Sequence, residues 1–474
     1  MSFRRLSVSG WKFFIAGKGF SFRTGKYFGE SMLVGAATGF VVVAFRQLVD
    51  FGAKFITEGL GGHSRLTRLA RSGDGLFSAE ALLDPQRWAM LFLPAAGAVL
   101  GYLIIKRFSS VEHVRGTDSA IRAYHHRGGS VTGVVIPTKS VASVFTVASG
   151  GSAGYEGPVT LLGAAVGSWI ARHLHLSVRA RRILMTAGLA GGIGALFQAP
   201  LAGALFGMEI MYSSSDIAYE TVLPCFISSA VSYTVFAYFY GWDSLFAMPP
   251  EYAFDSGLRL LPYFVLAIVV VFGVRFYIAA FRKIEMKFAT MRLPRTAKIA
   301  VGGLATGAIG FFFPDVLSTG YPVIQECLTA GLSGALGCAP LTIAGFSCFF
   351  FLKAVATSFT VGSGGSGGVF APALVCGGTL GAAVGLAFAR LLPASVGIHP
   401  ASFALVGMAG FLASAIRTPL TAIVMVAEIS GNHELLVPAM WVCGISFWLN
   451  NGWTLYRSQV HNRDSALQSF LEAG

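Results

Sequence analysis

One carboxylic acid stands out in this sequence because its neighbours are small, apolar and rich in glycine. The stretch "SGGSAGYEGP", Ser149 to Pro158, contains Glu156, although only 12% of all residues are charged. A carboxylate without partners is costly in such surroundings. Backbone N–H donors stabilise its ionised form, and protonation removes its charge. Glu156 can therefore do two kinds of chemistry, which are proton transfer and competition with an anion for the same donors.

A second stretch repeats the first with an aromatic ring in place of the acid. "SGGSGGVFAP", Ser363 to Pro372, has Phe370 where the first stretch has Glu156. The longer segments that begin at Lys139 and Lys353 match at 12 of 20 positions without a gap. The resemblance between the two stretches is therefore part of a longer internal repeat.

The repeat continues beyond the glycine-rich stretches. In the pair "GLAGGIGALFQAPLAGALFGMEIM" and "GMAGFLASAIRTPLTAIVMVAEIS", Pro200 corresponds to Pro419 and Glu209 to Glu428. Order and spacing are both kept between the copies. We interpret the chain as two duplicated halves, joined near the polar segment Trp242–Gly257.

A glycine-rich loop that leads into an apolar helix suggests a use for the repeat. The first N–H groups of such a helix are unpaired, and together with the helix dipole they favour an anion. They bind it without a full positive charge, so that the ion can leave again. Two related loops can aim two helix N-termini at one central site. The alternative is that these glycines only allow helices to pack closely.

The elements that must position these loops are membrane helices. The chain has 474 residues, 54% of them hydrophobic, and about a dozen apolar stretches of roughly twenty residues. Backbone groups in lipid must be satisfied internally, which indicates a helical bundle. We predict an all-α polytopic membrane protein with two inverted repeats of tilted, partly broken helices around a central anion site. The predicted organisation is a basic N-terminal segment 1–30, a first repeat 31–242, a connecting segment 243–258, a second repeat 259–456 and a tail 457–474.

The net charge of +13 does not indicate a nucleic-acid partner, because the basic residues lie in loops between apolar runs. Positive loops mark the cytoplasmic side, so we place the N-terminus and the loop 282–298 inside. No cleavable signal peptide is evident. We expect an integral protein of the bacterial inner membrane, in contact with the lipid bilayer.

Other functional classes find less support in the sequence. An intramembrane enzyme would need a catalytic motif, and there is no HExxH, no Walker-type loop and no pair of intramembrane aspartates. A cation transporter is expected to line its path with acids or unwound carbonyls. The six cysteines lack a CxxC pair and are interpreted as core residues. We predict no enzymatic activity, no metal and no cofactor.

Three separated motifs, in order, resemble those of the CLC family of chloride channels and chloride/proton exchangers. "GYEGP" (Gly154–Pro158) is similar to the gating motif, "GGVFAP" (Gly367–Pro372) to the second signature, and "LYRSQVHNR" (Leu455–Arg463) to the terminal segment. Lys139 also matches a family lysine. The chain ends soon after the third motif, as in prokaryotic members without regulatory domains. The resemblance implies a homodimer with a separate pore in each subunit, which transports chloride or other small anions and, in exchangers, protons.

The resemblance also implies roles for individual residues. Glu156 would occupy an anion position when ionised and would leave it or take a proton to let chloride pass. Val369 and Phe370 would offer backbone N–H groups to a central anion, and the Tyr456 hydroxyl would donate to it from the inner side. Gly157, beside the gate, would lie on the same path.

Two departures from the family pattern concern anion binding. Tyr155 stands where a basic residue usually precedes the gating glutamate, so we expect weaker electrostatic capture of anions at the outer mouth. The family motif that supplies a central hydroxyl is replaced by "HVRGTDSAI" (His113–Ile121). One register places Arg115 at the central position, and a slip of two residues places Thr117 there.

A third departure concerns protons. Exchangers of the family usually have two adjacent glutamates in "FGMEIM", the second of which relays protons. Glu209 matches the first, and Ile210 occupies the place of the second. Because Glu209 is repeat-related to Glu428, we favour a structural role for both. Ile210 cannot carry a proton, so the sequence is compatible with a coupled exchanger, which we favour, and with an uncoupled pH- or voltage-gated channel.

Overall fold

A computed structural model describes residues 21–60, 84–108, 116–214, 216–246, 257–329, 343–393 and 396–462. This part of the chain contains sixteen α-helices, more than the number of apolar stretches, as the internal glycines and prolines predict. In the first half they are α1 Ser21–Gly52, α2 Pro85–Phe108, α3 Gly116–His126, α4 Val135–Ala148, α5 Glu156–His173, α6 Val178–Leu196, α7 Pro200–Glu209 and α8 Val222–Tyr240. In the second half they are α9 Leu260–Thr290, α10 Arg295–Phe312, α11 Tyr321–Thr329, α12 Ile343–Gly362, α13 Phe370–Leu391, α14 Pro400–Ile416, α15 Pro419–Ser430 and α16 Leu436–Leu449.

The helices have very different lengths, as expected for partly broken helices. Six helical segments among the described residues are long and apolar enough to cross a membrane. Several others, including α4, α14 and α15, are apolar but shorter. A helix that ends within the protein at membrane depth needs other protein groups to satisfy its terminal N–H and C=O groups. The short helices therefore mark the places where loops enter the interior.

The two halves have the same order of elements. Helices α4 to α8 of the first half correspond to α12 to α16 of the second, and α5 and α13 both begin inside the glycine-rich stretches. Helices α7 and α15 both begin with a proline at the first helical position, where the missing N–H costs nothing. The duplication read from the sequence is thus a duplication of structure.

Glycine ends the helix that precedes each glycine-rich loop in the same way. Gly150 has φ +100° and Gly364 has φ +113°, a region that favours glycine. The next N–H in each loop turns back to the helix, from Gly151 to the Thr146 carbonyl and from Gly365 to the Thr360 carbonyl, both at 3.0 Å. These capped ends fix the direction in which each loop enters the core.

The interior is made of small residues packed closely. Helices α5 and α6 are buried over most of their lengths, and a Cβ atom on Gly163 or Gly188 would collide with the backbone of the other helix. Four of the five described cysteines are buried, as predicted, whereas Cys348 is exposed on α12 and is not a core residue. Cys338 lies outside the described residues.

Candidate functional site

The two glycine-rich loops meet at the centre of the protein. Gly154 N–H donates to the Gly368 carbonyl and Gly368 N–H donates to the Gly154 carbonyl, each at 2.8 Å. This antiparallel bridge brings the starts of α5 and α13 together. Gly157 lies against Gly368, and a side chain on either residue would collide with the other's backbone. The loops therefore place the two helix N-termini side by side, as the repeat predicted.

Two pairs of hydroxyl groups around the bridge join the two halves. Ser143 pairs with Ser366 at 3.0 Å, and Ser152 pairs with Thr357 at 3.0 Å. Ser143 corresponds to Thr357 in the repeat, and Ser152 corresponds to Ser366. The same two repeat positions therefore pair in both directions across the junction, which is the signature of a two-fold relation. This relation agrees with the inverted repeats predicted from the sequence.

Glu156 is fully inside this junction, with 1% of its surface exposed. Its carboxylate reaches across to residues of the second half. One oxygen accepts a hydrogen bond from the backbone N–H of Ala371 at 3.3 Å, in the first turn of α13. The other accepts the hydroxyl hydrogen of Tyr321 at 2.5 Å. The acid of the first half therefore occupies the N-terminus of the matching helix in the second half.

The residue that corresponds to Glu156 is placed differently. Phe370 is completely buried, and its ring packs against Phe197 and Phe206, at centroid distances of 5.3 and 5.7 Å. Its neighbour Val369 is also buried, and the Val369 carbonyl accepts a hydrogen bond from Tyr277 at 3.2 Å. The aromatic ring thus packs into an apolar cluster while its backbone stays at the junction.

A small cavity lies against the junction, with Gly157, Gly367 and Gly368 in its wall. It has a volume of about 50 Å³, more than the ~10–15 Å³ that one water needs. The predicted site residues in its wall are Gly157, Val369, Tyr456 and Thr117. The hydroxyls of Thr117 and Tyr456 lie next to each other, and both side chains are buried. Residues far apart in the sequence thus line one space beside the two helix N-termini.

Of the two candidates for the central position, Thr117 is among the described residues. Thr117 is in the first turn of α3 and lines the cavity with Tyr456. Arg115 lies outside the described residues. Thr117 stays a prediction for the hydroxyl donor at this place, where a hydroxyl can hold an anion without a full charge.

Tyr155, which directly precedes Glu156 in the chain, is half-buried. Its ring meets Phe45 of α1 edge to face, at a centroid distance of 5.8 Å. The position that was expected to lack a positive charge is therefore filled by an aromatic contact.

Glu209 and Glu428 cap each other's helices. The Glu209 carboxylate accepts from the N–H groups of Leu420 and Thr421, at 3.0 and 2.9 Å, at the start of α15. The Glu428 carboxylate accepts from the N–H groups of Leu201 and Ala202, at 3.0 and 2.7 Å, at the start of α7. These bonds satisfy unpaired helix N–H groups, which supports the structural role favoured from the repeat. Ile210, beside Glu209, is fully buried.

Lys139 and its counterpart Lys353 are both buried in the helices that precede the loops. Lys353 donates to the carbonyls of Val316 and Ser318, at 2.9 and 2.7 Å, and so holds the segment that leads to Tyr321. Lys139 lines a second, larger cavity of about 330 Å³ next to the Ser363–Gly367 loop. A supporting role for Lys139 fits this position.

Sequence reasoning did not single out Tyr321. It lies 165 residues from Glu156 and begins a short helix, and no motif surrounds it. The tyrosine in "STGYPV" gives no periodic signal, so only the folded structure brings its hydroxyl to the acid.

The chain matches known proteins over most of its length. Residues 96–451 match the family model described as voltage gated chloride channel. A ClcB-like chloride channel protein of Ralstonia nicotianae is 31% identical over 408 residues, which are 84% of this chain and 92% of that protein. The H(+)/Cl(−) exchange transporter ClcA of Yersinia pseudotuberculosis is 31% identical over 425 residues, covering 87% and 81% of the two chains.

Two solved structures have the same fold. A CLC-type fluoride/proton antiporter superimposes with a TM-score of 0.76 at 20% identity, covering 94% of this chain and all of that one. A slow cyanobacterial Cl−/H+ antiporter gives a TM-score of 0.73 at 21% identity, with coverage of 93% and 97%. Together with the family model and the paired glycine-rich loops, these matches show that the chain belongs to the CLC family of chloride channels and chloride/proton exchangers.

Proposed function

We propose that this protein exchanges chloride for protons across a membrane and that Glu156 is its gate. The observation that carries the proposal is the hydrogen bond from Ala371 N–H to the Glu156 carboxylate at 3.3 Å. The ionised carboxylate takes the place that the N-terminus of α13 would otherwise offer to an anion. An anion and Glu156 then compete for the same donors.

Beyond the gate, the anion path continues to the cavity at Tyr456. Gly157 and Val369 line that cavity, Phe370 follows Val369 at the start of α13, and Thr117 and Tyr456 supply hydroxyls in the cavity wall. All of these are dipolar donors rather than full charges. Such donors favour an anion and still let it leave, which a conducting site requires.

Protonation of Glu156 provides the link to protons. A neutral carboxyl group no longer competes for the helix N-terminus, so an anion can pass while the acid carries a proton. The relatives in Yersinia are H(+)/Cl(−) exchange transporters, which supports coupled exchange in this chain.

An uncoupled pH-gated chloride channel is the second candidate, and Ile210 favours it. This buried apolar residue stands where exchangers of the family usually have a proton-relaying acid. The neighbouring Glu209 is engaged at the start of α15. In an exchanger, protons would have to reach Glu156 by another route, such as a chain of waters.

The domain organisation and membrane placement are part of the proposal. Two membrane repeats, 31–242 and 259–456, are joined by 243–258 and flanked by cytoplasmic segments 1–30 and 457–474, in a bacterial inner membrane. The chain forms a homodimer in which each subunit has its own path. Mass photometry of the detergent-solubilised protein should give the dimer mass, and a stable monomer with full transport activity would contradict this arrangement.

Chloride flux from liposomes tests the transport function. Purified protein in chloride-loaded liposomes should release chloride when valinomycin and potassium compensate the charge, whereas protein-free liposomes should not. Fluoride is the matched comparison, because one structural neighbour is a fluoride/proton antiporter. Fluoride release without chloride release would contradict chloride as the substrate.

A further inference from the structure

Charged side chains surround the end of the path that lies at Tyr456. Arg282 and Glu285 project from α9, and Arg457 directly follows Tyr456, and all three line the cavity of about 50 Å³. Arg457 forms an ion pair with Glu285 at 2.9 Å, and Arg282 donates to the Thr454 carbonyl at 2.7 Å. Two parts of the chain supply these residues: α9 carries Arg282 and Glu285, and the terminal segment carries Arg457. We call these three residues the inner charge cluster.

The cluster is only partly satisfied by its own contacts. The buried Nε donor of Arg282 has no hydrogen-bond partner within the described part of the chain. A buried donor without an acceptor is unfavourable, and an anion in the cavity would supply the acceptor. The Arg457 side chain is 49% exposed, whereas that of Glu285 is 8% exposed. Arg457 therefore has room to turn from the acid towards an entering ion.

Among the described residues of the cavity wall, two arginines face two acids. Asp118 is the other charged residue in the wall, and it accepts hydrogen bonds from the backbone and the hydroxyl of Ser458, at 2.9 and 3.0 Å. Asp118 is thus committed to Ser458, while Glu285 faces the arginines. An anion that binds to the guanidinium groups must compete with the Glu285 carboxylate.

Glu285 also lines the larger cavity of about 330 Å³, on its other side. The cations of that wall are Lys139, Arg295 and Lys298. A cleft in which basic residues predominate raises the local concentration of anions. Glu285 therefore stands between a basic cavity and the cavity that contains the path residues.

We propose that Arg282, Glu285 and Arg457 form a capture site for small monovalent anions at the Tyr456 end of the path, where Glu285 and the anion compete for the two guanidinium groups. The site rests on the proposed function, since it feeds the path that Glu156 closes. It also places positive charge at the Tyr456 end of the path. The other end lacks the family's usual basic residue, because Tyr155 stands in its place.

Chloride dependence of the flux in single-charge variants tests the site. Arg457→Gln and Arg282→Gln should each raise the chloride concentration for half-maximal flux by about threefold or more, because attraction at a site of opposite charge is lost. Glu285→Gln should lower it by a similar factor, because the competitor is removed. Lys283→Gln is the matched control, since it removes one charge from an exposed position on the same helix. It should change the value by less than about twofold.

The arginine variants and Glu285→Gln should shift the half-maximal chloride concentration in opposite directions, which keeps the test decisive. A folding defect in the arginine variants can weaken binding, but a folding defect does not strengthen it in Glu285→Gln. If all three cluster variants behave like Lys283→Gln while the wild type transports chloride, the capture site is wrong and the transport function stands. If the wild type transports no chloride, the proposed function itself fails.

Discussion

The two glycine-rich loops have the same backbone and different tasks. Both leave a helix through a glycine with positive φ, both join the hydroxyl pairs, and each donates to the other in the Gly154–Gly368 bridge. Among the positions at which they differ, one sets their side chains apart most: Glu156 extends to the N-terminus of α13, whereas Phe370 packs against apolar rings. The repeat thus keeps one backbone scaffold in both halves, and we propose that the Glu156 side chain makes the first copy the gate.

The largest effect should come from separating the two loops. A Cβ atom on Gly368 would lie 2.7 Å from the Gly157 nitrogen and 3.0 Å from its Cα. Backbone atoms at such distances cannot move aside cheaply, and overpacking typically costs about 1–3 kcal/mol. Gly368→Ala should therefore lose most of its chloride flux. Gly444→Ala, on α16 with open space around it, is the control. Equal flux in both variants would show that close approach of the loops is not required.

The next effect concerns the caps that the two halves exchange. Replacing Glu209 or Glu428 by Gln puts an amide in place of one acceptor oxygen at the start of the other half's helix. Each change should lower the stability by about 0.5–2 kcal/mol, as for other helix caps. Glu209 should cost more, because it is buried and also accepts the Thr421 hydroxyl, whereas Glu428 is only partly buried. Thermal unfolding in detergent measures this, and unchanged midpoints for both would refute the structural role.

A smaller change in chloride flux than that in Gly368→Ala should follow from weakening the contact that only the first loop has. Tyr321→Phe removes the hydroxyl that donates to Glu156. Hydrogen bonds to charged groups contribute about 1.5–3 kcal/mol, so the ionised gate should leave its position more readily. Chloride flux at neutral pH should rise several-fold. Tyr263→Phe removes a buried hydroxyl bonded to Ser402 on other helices and should leave the flux unchanged. A flux of Tyr321→Phe no higher than that of Tyr263→Phe would mean that Tyr321 does not hold the gate.

Much of this arrangement can be predicted from the sequence because it repeats. The match of the Lys139 and Lys353 segments identifies the two halves, and Glu156 stands out as an acid among glycines. The direction of its side chain cannot be read in the same way. The carboxylate bonds to Ala371, 215 residues later, and to Tyr321, and both contacts depend on how the halves pack.

The Tyr456 end of the proposed path shows the same limit. In the sequence, Arg282 belongs to the basic segment 282–298, which is predicted as a loop although its first part lies in α9, and Arg457 belongs to the terminal motif. Their approach to each other around Glu285 follows from the packing of α9 against the terminal segment. Charge patterns along a chain locate loops relative to the membrane, but they do not show which charges share a cavity.

Proton uptake driven by chloride tests the central claim most directly. Liposomes loaded with high chloride and placed in low chloride should take up protons against their gradient as chloride leaves through the wild-type protein. Glu156→Gln should stop proton uptake, keep or increase the chloride flux, and remove most of the pH dependence of that flux, because a neutral side chain neither carries the proton nor competes for the start of α13. Chloride flux in the wild type without any proton movement would contradict coupled exchange and leave a channel. Unchanged proton uptake in Glu156→Gln would show that the gate lies elsewhere.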